Sequence, residues 1–326
     1  MTTGISSASR PGMPGRVSRV ALLAGGTGGA KLAAGIQELL GEGLSVIANT
    51  GDDIEILGVD VSPDPDLIIY WLSGEIDEER GWGLKGDTSV VFERLRRLGA
   101  PDWFQLSDRD LATCLYRRLF VSEGGTRTGA QAQIARGLGV SAAVLPMSEQ
   151  PVRTRVRTAA GWRGLQQFLV AERGEGPVEA VELEGIAEAR PTDEVLAALK
   201  GAELIVIGPS NPVISIGPIL AVPGIREAIA DAAAPVVAVS PYVAGEVVKG
   251  PTDAFMAALA RPSTAAGVAS LYRGLLDGNV CDRDDPDPPP EGVPALQCPT
   301  LMEGAERRRD LARRVLDFGY ELPAAV

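Results

Sequence analysis

An apolar run, Val20 to Ala24, passes directly into Gly25-Gly26-Thr27-Gly28-Gly29-Ala30-Lys31 and then into a helical pattern that continues to Leu40. A strand, a glycine loop and a helix in that order commit the start of the chain to an α/β unit. The glycines let the backbone turn sharply and approach an anion without Cβ atoms in the way, while the first-turn N–H groups of the helix point at the ligand. Gly25, Gly26, Thr27, Gly28, Gly29 and Lys31 therefore read as a cradle for a nucleotide or another phosphate ester. A tight strand-to-helix turn with no ligand is the plainer alternative. Ala30 rather than glycine precedes Lys31, which excludes the P-loop, and Lys31 stands where a dinucleotide fingerprint has its third glycine.

Strands and helices continue to alternate. Strands are expected at Leu44–Ala48, Leu204–Ile207 and Val236–Val239, with helices at Leu67–Leu72, Thr192–Leu199, Ile225–Ala230 and Glu306–Phe318. This predicts an α/β, Rossmann-like, three-layer fold whose parallel strands gather their loops at one carboxyl edge. The second strand ends in Asn49-Thr50-Gly51-Asp52-Asp53, which sets Asp52 and Asp53 on the glycine loop's side of the sheet. Gly-Asp-Asp is also a common turn, but beside a phosphate loop the two carboxylates are read as functional. Ser62-Pro63-Asp64-Pro65-Asp66 reads as a helix start. Gly208 to Pro218 is too rich in glycine, proline and hydroxyls to be a packing element, and offers Ser210, Asn211 and Ser215 to a ligand.

The core is expected to comprise 17–106 and 191–326, behind a disordered Ser/Gly/Pro tail, 1–16. From 107 to 190 the pattern changes, with helices at Asp108–Phe120 and Gly129–Leu138, and the segment reads as a mostly helical insertion covering the binding edge. The alternating arginines of Val152–Thr158 are read as a solvated strand face rather than an anion-facing strip. Gly161–Gly176 reads as irregular, and Cys281–Pro294 as an acidic surface loop.

Charge and residue supply narrow the chemistry. The formal net charge is −12 and histidine is absent. Long-range fields thus repel nucleic acid, the usual general base is missing, and carboxylate, lysine, tyrosine and water remain for acid–base or metal work. Hard oxygen ligands favour Mg²⁺ over zinc. Three scattered cysteines support neither a disulfide framework nor a zinc site. No apolar run approaches a membrane span, and the expectation is a cytoplasmic protein with no membrane partner.

Taken in order, Ala24–Lys31, Asn49–Asp53, Ser62–Asp66, Leu84-Lys85-Gly86-Asp87-Thr88, Asp108-Arg109-Asp110-Leu111-Ala112-Thr113, Leu145-Pro146-Met147-Ser148, Gly208–Pro212 and Ser215–Leu220 resemble the 2-phospho-L-lactate transferase family of coenzyme F-420 biosynthesis. The resemblance spans nearly all of the chain beyond the tail. It implies a transferase that moves a phospho-acid from a guanylyl-diphospho donor, such as lactyl-2-diphospho-5′-guanosine, to the ribityl hydroxyl of the deazaflavin Fo. GMP leaves, Mg²⁺ is required and the protein is a homodimer. On that basis Asp52 and Asp53 serve catalysis and metal, the glycine loop with Ser210, Asn211 and Ser215 holds the donor, and Asp66 contacts Fo. Gln105 stands where relatives often carry a basic residue at the acceptor, and Ser107 replaces a glycine. Relatives often have a histidine within 54–61 that this chain lacks. The alternatives are a sugar-nucleotide-binding regulator of the gluconeogenesis-factor type, and an NAD-dependent dehydrogenase with Asn49 near the ribose.

Overall fold

The computed structural model describes residues 18–323; the tail 1–16 lies outside them. Seven strands form one sheet: β1 (Val20–Ala24), β2 (Leu44–Ala48), β3 (Ala143–Pro146), β4 (Leu204–Ile207), β5 (Val236–Val239), β6 (Gly278–Asp282) and β7 (Ala295–Cys298). Their order is β7-β6-β5-β4-β1-β2-β3, and every pairing is parallel. From β1 the chain winds outward through β2 and β3, then returns to place β4 on the other side of β1. The crevice between β1 and β4 is the switch point where such sheets bind ligands. In register, Leu22 lies between Val46 and Val206.

Parallel sheets are covered on both faces, and the alternation along β1 divides the core accordingly. Val20, Leu22 and Ala24 face α1 (Gly26–Leu40), α2 (Pro63–Ser73) and the C-terminal helix Gly304–Glu321. Ala21 and Leu23 face the helices Asp193–Gly201, Ile216–Ala221 and Ile225–Ala230. The result is three layers with two separate cores.

The helices Asp108–Ser122 and Arg127–Gly137 form a helical insertion, the first packed on the hairpin Ile54–Ile56/Val59–Val61. The rest of 107–190 does not stand apart from the core. Ala143–Pro146 extends the main sheet as its edge strand, because its register with Ser45–Ala48 continues the parallel ladder. Arg153–Thr158 is the centre of a small antiparallel sheet with Gly161–Gly164 and Ala180–Glu184, so 161–176, expected to be irregular, begins with a strand. Cys281 and Asp282, expected at the surface, are buried in β6.

Candidate functional site

The first helix starts at Gly26, directly behind β1, so its first turn occupies the crevice between β1 and β4. The Gly25 N–H donates to Ser210 Oγ at 3.1 Å and the Gly26 N–H to Asp64 Oδ1 at 2.6 Å. The next N–H groups, of Thr27 and Gly28, have no acceptor within the helix and border open space. The glycines answer to the protein as much as to a ligand. A Cβ on Gly28 would lie 2.1 Å from the Pro209 carbonyl oxygen, and one on Gly29 2.5 Å from Ser210 Oγ. They let the loops after β1 and β4 lie against each other, whereas a Cβ on Gly26 would meet nothing within 4 Å.

This edge opens into a cavity of about 370 Å³, walled by the glycine loop, Lys31, Ser210, Asn211, Ser215, Lys249 and Thr300. Several of these side chains shape the wall. Asn211 Oδ1 accepts the N–H groups of Val213 and Ile214, and its Nδ2 donates to Thr252 Oγ1 at 3.2 Å. Lys31 Nζ sits 5.5 Å from the centre of the Trp71 ring. Lys249 Nζ donates to Thr27 Oγ1 at 3.3 Å and to the Gly81 carbonyl at 3.1 Å. Burial, then the charge of Arg308, lowers the Lys31 pKa; burial, then Lys31, lowers that of Lys249. Neither ammonium has an ion-pair partner among the described residues. Two unpaired cations beside free helix N–H groups suit a polyanion on a chain whose overall charge opposes one. In the sequence, Lys249 stands in a polar loop and looks like any surface lysine.

A second cavity, about 650 Å³, adjoins the first. Its walls include Tyr70, Trp82, Phe92, Trp103 and Phe104, with Asp66 and Gln105 among the polar groups. The two cavities share Thr27, Asp52, Asp64, Leu169 and Lys249. Asp66 is paired with the fully buried guanidinium of Arg117, while its Oδ2 has no partner. Arg117 also donates to the Asp60 carbonyl at 3.0 Å, so this ion pair ties the helix Asp108–Ser122 to α2 and the 54–61 hairpin. Gln105 Nε2 donates to Ser89 Oγ at 3.0 Å at the exposed rim.

The border between the cavities is acidic. Asn49 Nδ2 donates to both Asp52 Oδ1, at 3.3 Å, and Asp64 Oδ2, at 2.9 Å, and Gln166 Nε2 donates to Asp52 Oδ2 at 3.0 Å. Burial, then the charges of Asp64 and Asp53, pushes the Asp52 carboxyl well above its ordinary value. Burial takes Asp64 to about 6. Two buried carboxylates sharing one amide donor fit a hard divalent cation, which would relieve their repulsion. Asp53 is turned elsewhere. It accepts the Ser62 hydroxyl at 2.9 Å, lies 3.7 Å from the Arg127 guanidinium and borders neither large cavity. The structure thus sets Asp64 with Asp52 on the border of the two large cavities, with Asp53 on the far side of Asp52; the sequence context of Asp64 is simply a helix start. A separate buried group, Asp66, Asp110 and Cys114, has ligand atoms within 4.8 Å of one another and could also coordinate a divalent ion. There Arg117 and the Tyr70 hydroxyl, 2.8 Å from Asp110, already engage the carboxylates.

Residues 20–291 match the family model for the 2-phospho-L-lactate transferase CofD. The chain belongs to the 2-phospho-L-lactate transferase family. It is an enzyme of coenzyme F-420 biosynthesis type that transfers a phospho-acid group. It is 38% identical over 300 residues to the 2-phospho-L-lactate transferase of Methanosarcina mazei, covering 90% of this chain and 98% of that one. It is also 39% identical over 318 residues to the phosphoenolpyruvate transferase of Streptomyces coelicolor, covering 94% and 100%. A crystal structure of a Bacillus halodurans protein superposes with a TM-score of 0.62 at 18% identity, covering 92% of this chain and all of that one, and shows a shared fold. Among the described residues no helix is long and apolar enough to cross a membrane.

Proposed function

We propose that this transferase takes a guanylyl-diphospho three-carbon acid as donor and the deazaflavin Fo as acceptor, releasing GMP. The observation that carries this reading is the meeting of two unlike cavities at Asp52 and Asp64, one edged by helix N–H groups and lysines, the other walled by aromatic rings. A diphosphate suits the first and a planar deazaflavin the second.

The ribityl hydroxyl oxygen bonds to the phosphorus that carries the acid. The bond from that phosphorus to the bridging diphosphate oxygen breaks, and its electron pair leaves with GMP. Such a transfer needs alignment and charge stabilisation more than covalent help from the protein. The first turn of α1 with Lys31 and Lys249 carries the diphosphate, Lys249 standing where both substrates pass. The free Oδ2 of Asp66 accepts a hydrogen bond from the ribityl chain; burial raises the pKa of that carboxyl, and the Arg117 charge opposes the rise. Gln105 borders the outer end of the ring. Asp52 faces both cavities and takes the hydroxyl proton. Asp64, with Asp52 beside it, would hold Mg²⁺, which when bound neutralises the diphosphate and the leaving oxygen. The family resemblance further supports a cytoplasmic homodimer.

The test is mass spectrometry of the products from Fo and Mg²⁺ with lactyl-, enolpyruvyl- and glyceryl-diphosphoguanosine in turn. A phospho-acid ester of Fo with stoichiometric GMP from at least one donor is expected. GMP release independent of Fo, or no Fo adduct from any donor, overturns the reading.

A further inference from the structure

The loop 77–83 follows α2 and lends Gly81, Trp82 and Gly83 to the wall of the aromatic cavity. It is closed on itself. Ile76 and Leu84 pair across its base and are buried, the Asp77 N–H donates to the Gly83 carbonyl at 3.1 Å, and the Gly81 N–H donates to the Asp77 carbonyl at 2.8 Å. Among the described residues two polar ties join it to other elements, and each leads to a lysine of the glycine-loop cavity. At the tip, the Gly81 carbonyl accepts from Lys249 Nζ at 3.1 Å, and the same ammonium donates to Thr27 Oγ1, in the first turn of α1, at 3.3 Å. A Cβ on Gly81, whose φ is +72°, would lie 2.9 Å from that Nζ, so the lysine reaches the main chain of the loop itself. Near the base, Glu78 pairs with Arg308 at 2.9 Å; the Arg308 guanidinium lies 5.0 Å from the centre of the Trp71 ring, and Lys31 Nζ lies 5.5 Å from the same centre. Trp82, the residue after Gly81, is 43% exposed.

We propose that this loop couples the two substrate sites: a diphosphate at the first turn of α1 orders Lys249, Lys249 fixes the Gly81 carbonyl, and Trp82 is thereby set against the deazaflavin, so that donor and acceptor tighten each other's binding. The inference rests on the assignment of the donor to the glycine-loop cavity and of Fo to the aromatic one. An ammonium has three N–H donors, and Lys249 spends two of them on uncharged oxygens. The third is free for an anion arriving at the Thr27 and Gly28 N–H groups, and a charge-assisted bond to phosphate is stronger than either bond already made. Without that anion the long side chain keeps much of its rotamer freedom, and its hold on the loop tip is correspondingly loose. Once one ligand has ordered the lysine and the loop, the second has less ordering left to meet, which is positive coupling. Toward Fo, Lys249 is a positioning residue that acts through Trp82, in addition to its contact with the donor.

The test is Fo fluorescence titration of the full chain with and without saturating GDP and Mg²⁺, a pair of ligands that cannot react because GDP lacks the acid. GDP should tighten Fo by about fivefold or more, and by reciprocity Fo should tighten GDP by the same factor in calorimetry. Lys249→Met keeps the stem and removes the donors, so it should weaken GDP and reduce the coupling to less than about twofold, whereas Lys249→Arg should retain most of it. Trp82→Ala should also abolish the coupling while GDP affinity in the absence of Fo stays as in the unaltered protein, a pattern that direct contact between the two ligands would not give. In turnover Lys249→Met should raise the KM for both substrates and Trp82→Ala that for Fo alone. An Fo affinity that GDP leaves unchanged or weakens in the unaltered protein overturns the proposal, as does coupling that survives in Lys249→Met or Trp82→Ala. If the unaltered protein forms no Fo adduct from any donor, the transferase reading fails. Adduct formation with uncoupled binding removes this inference alone.

Discussion

The cavity at the glycine loop and the aromatic cavity share a border and little else. One side of the first is main chain, where loops after β1 and β4 lie too close for a Cβ at Gly28 or Gly29 and the first turn of α1 borders the opening, while side chains such as Leu165, Leu169, Leu301 and Met302 line the rest. The second is walled by side chains from segments far apart in sequence, held by one buried ion pair, Asp66 with Arg117. A backbone wall is indifferent to most side-chain truncations and intolerant of added atoms. A side-chain wall behaves the other way, and here its binding residue is also a structural one.

The largest effect should come at the border, where the contrast vanishes. Asp52→Asn and Asp64→Asn should each lower kcat more than 100-fold while leaving the fold intact, since each replaces a buried carboxyl by a neutral group of like size. Undiminished turnover in both would remove these carboxylates from the chemistry. On the aromatic side, Asp66→Ala strands the Arg117 charge and should cost about 3–5 kcal/mol of stability in denaturant unfolding. Asp66→Asn also removes the counter-charge of Arg117 but keeps a hydrogen-bond acceptor beside it, so it should lose less stability than Asp66→Ala and raise the Fo dissociation constant about tenfold in fluorescence titration, without change toward GDP. A loss of GDP affinity instead would put Asp66 on the wrong side of the border.

Gly28→Val should act through the backbone wall. Its side chain meets the Pro209 carbonyl, so stability should fall by about 1–3 kcal/mol and GDP affinity with it. Trp103→Ala should leave both untouched and weaken Fo by roughly two- to tenfold, the worth of about 0.5–1.5 kcal/mol for one aromatic contact. Equal damage from both variants to both ligands would erase the distinction between the walls.

The smallest effect is a pH dependence specific to the aromatic side. Burial, then the Asp66 charge, pushes Asp110 from an ordinary 3.8 to about 7. The folded protein therefore holds this proton more tightly than the unfolded chain does. The resulting stability is fully present below the unfolded value and is lost as pH rises through about 7. The decline in Tm between pH 5 and 8 should be shallower in Asp110→Asn than in the unaltered protein, and an unchanged slope would count against a protonated Asp110.

The same contrast separates what was readable in the sequence from what was not. Val20–Ala24, Leu44–Ala48, Leu204–Ile207 and Val236–Val239 are apolar runs bounded by glycine or polar turns, and all four are strands with those bounds. Strand β6 escaped because Asn279 and Asp282 interrupt its apolar pattern; both are buried, and Asp282 holds the N–H and hydroxyl of Thr300 at 2.8 Å. Strand β3 escaped because four residues between two irregular stretches carry no periodicity to read.

By itself the sequence determined the strand–glycine loop–helix unit, the parallel α/β class and the set of residue types open to the chemistry. These follow from local patterns, since burial selects apolar runs and close approach selects glycine. Tertiary structure decided which acid stands beside Asp52, that Lys249 reaches the glycine loop from more than 200 residues away, and that rings from α2 to Phe104 share one wall. Those are matters of distance between remote segments. A side chain's neighbours across the sheet edge depend on how the whole chain folds back, and no local pattern encodes them.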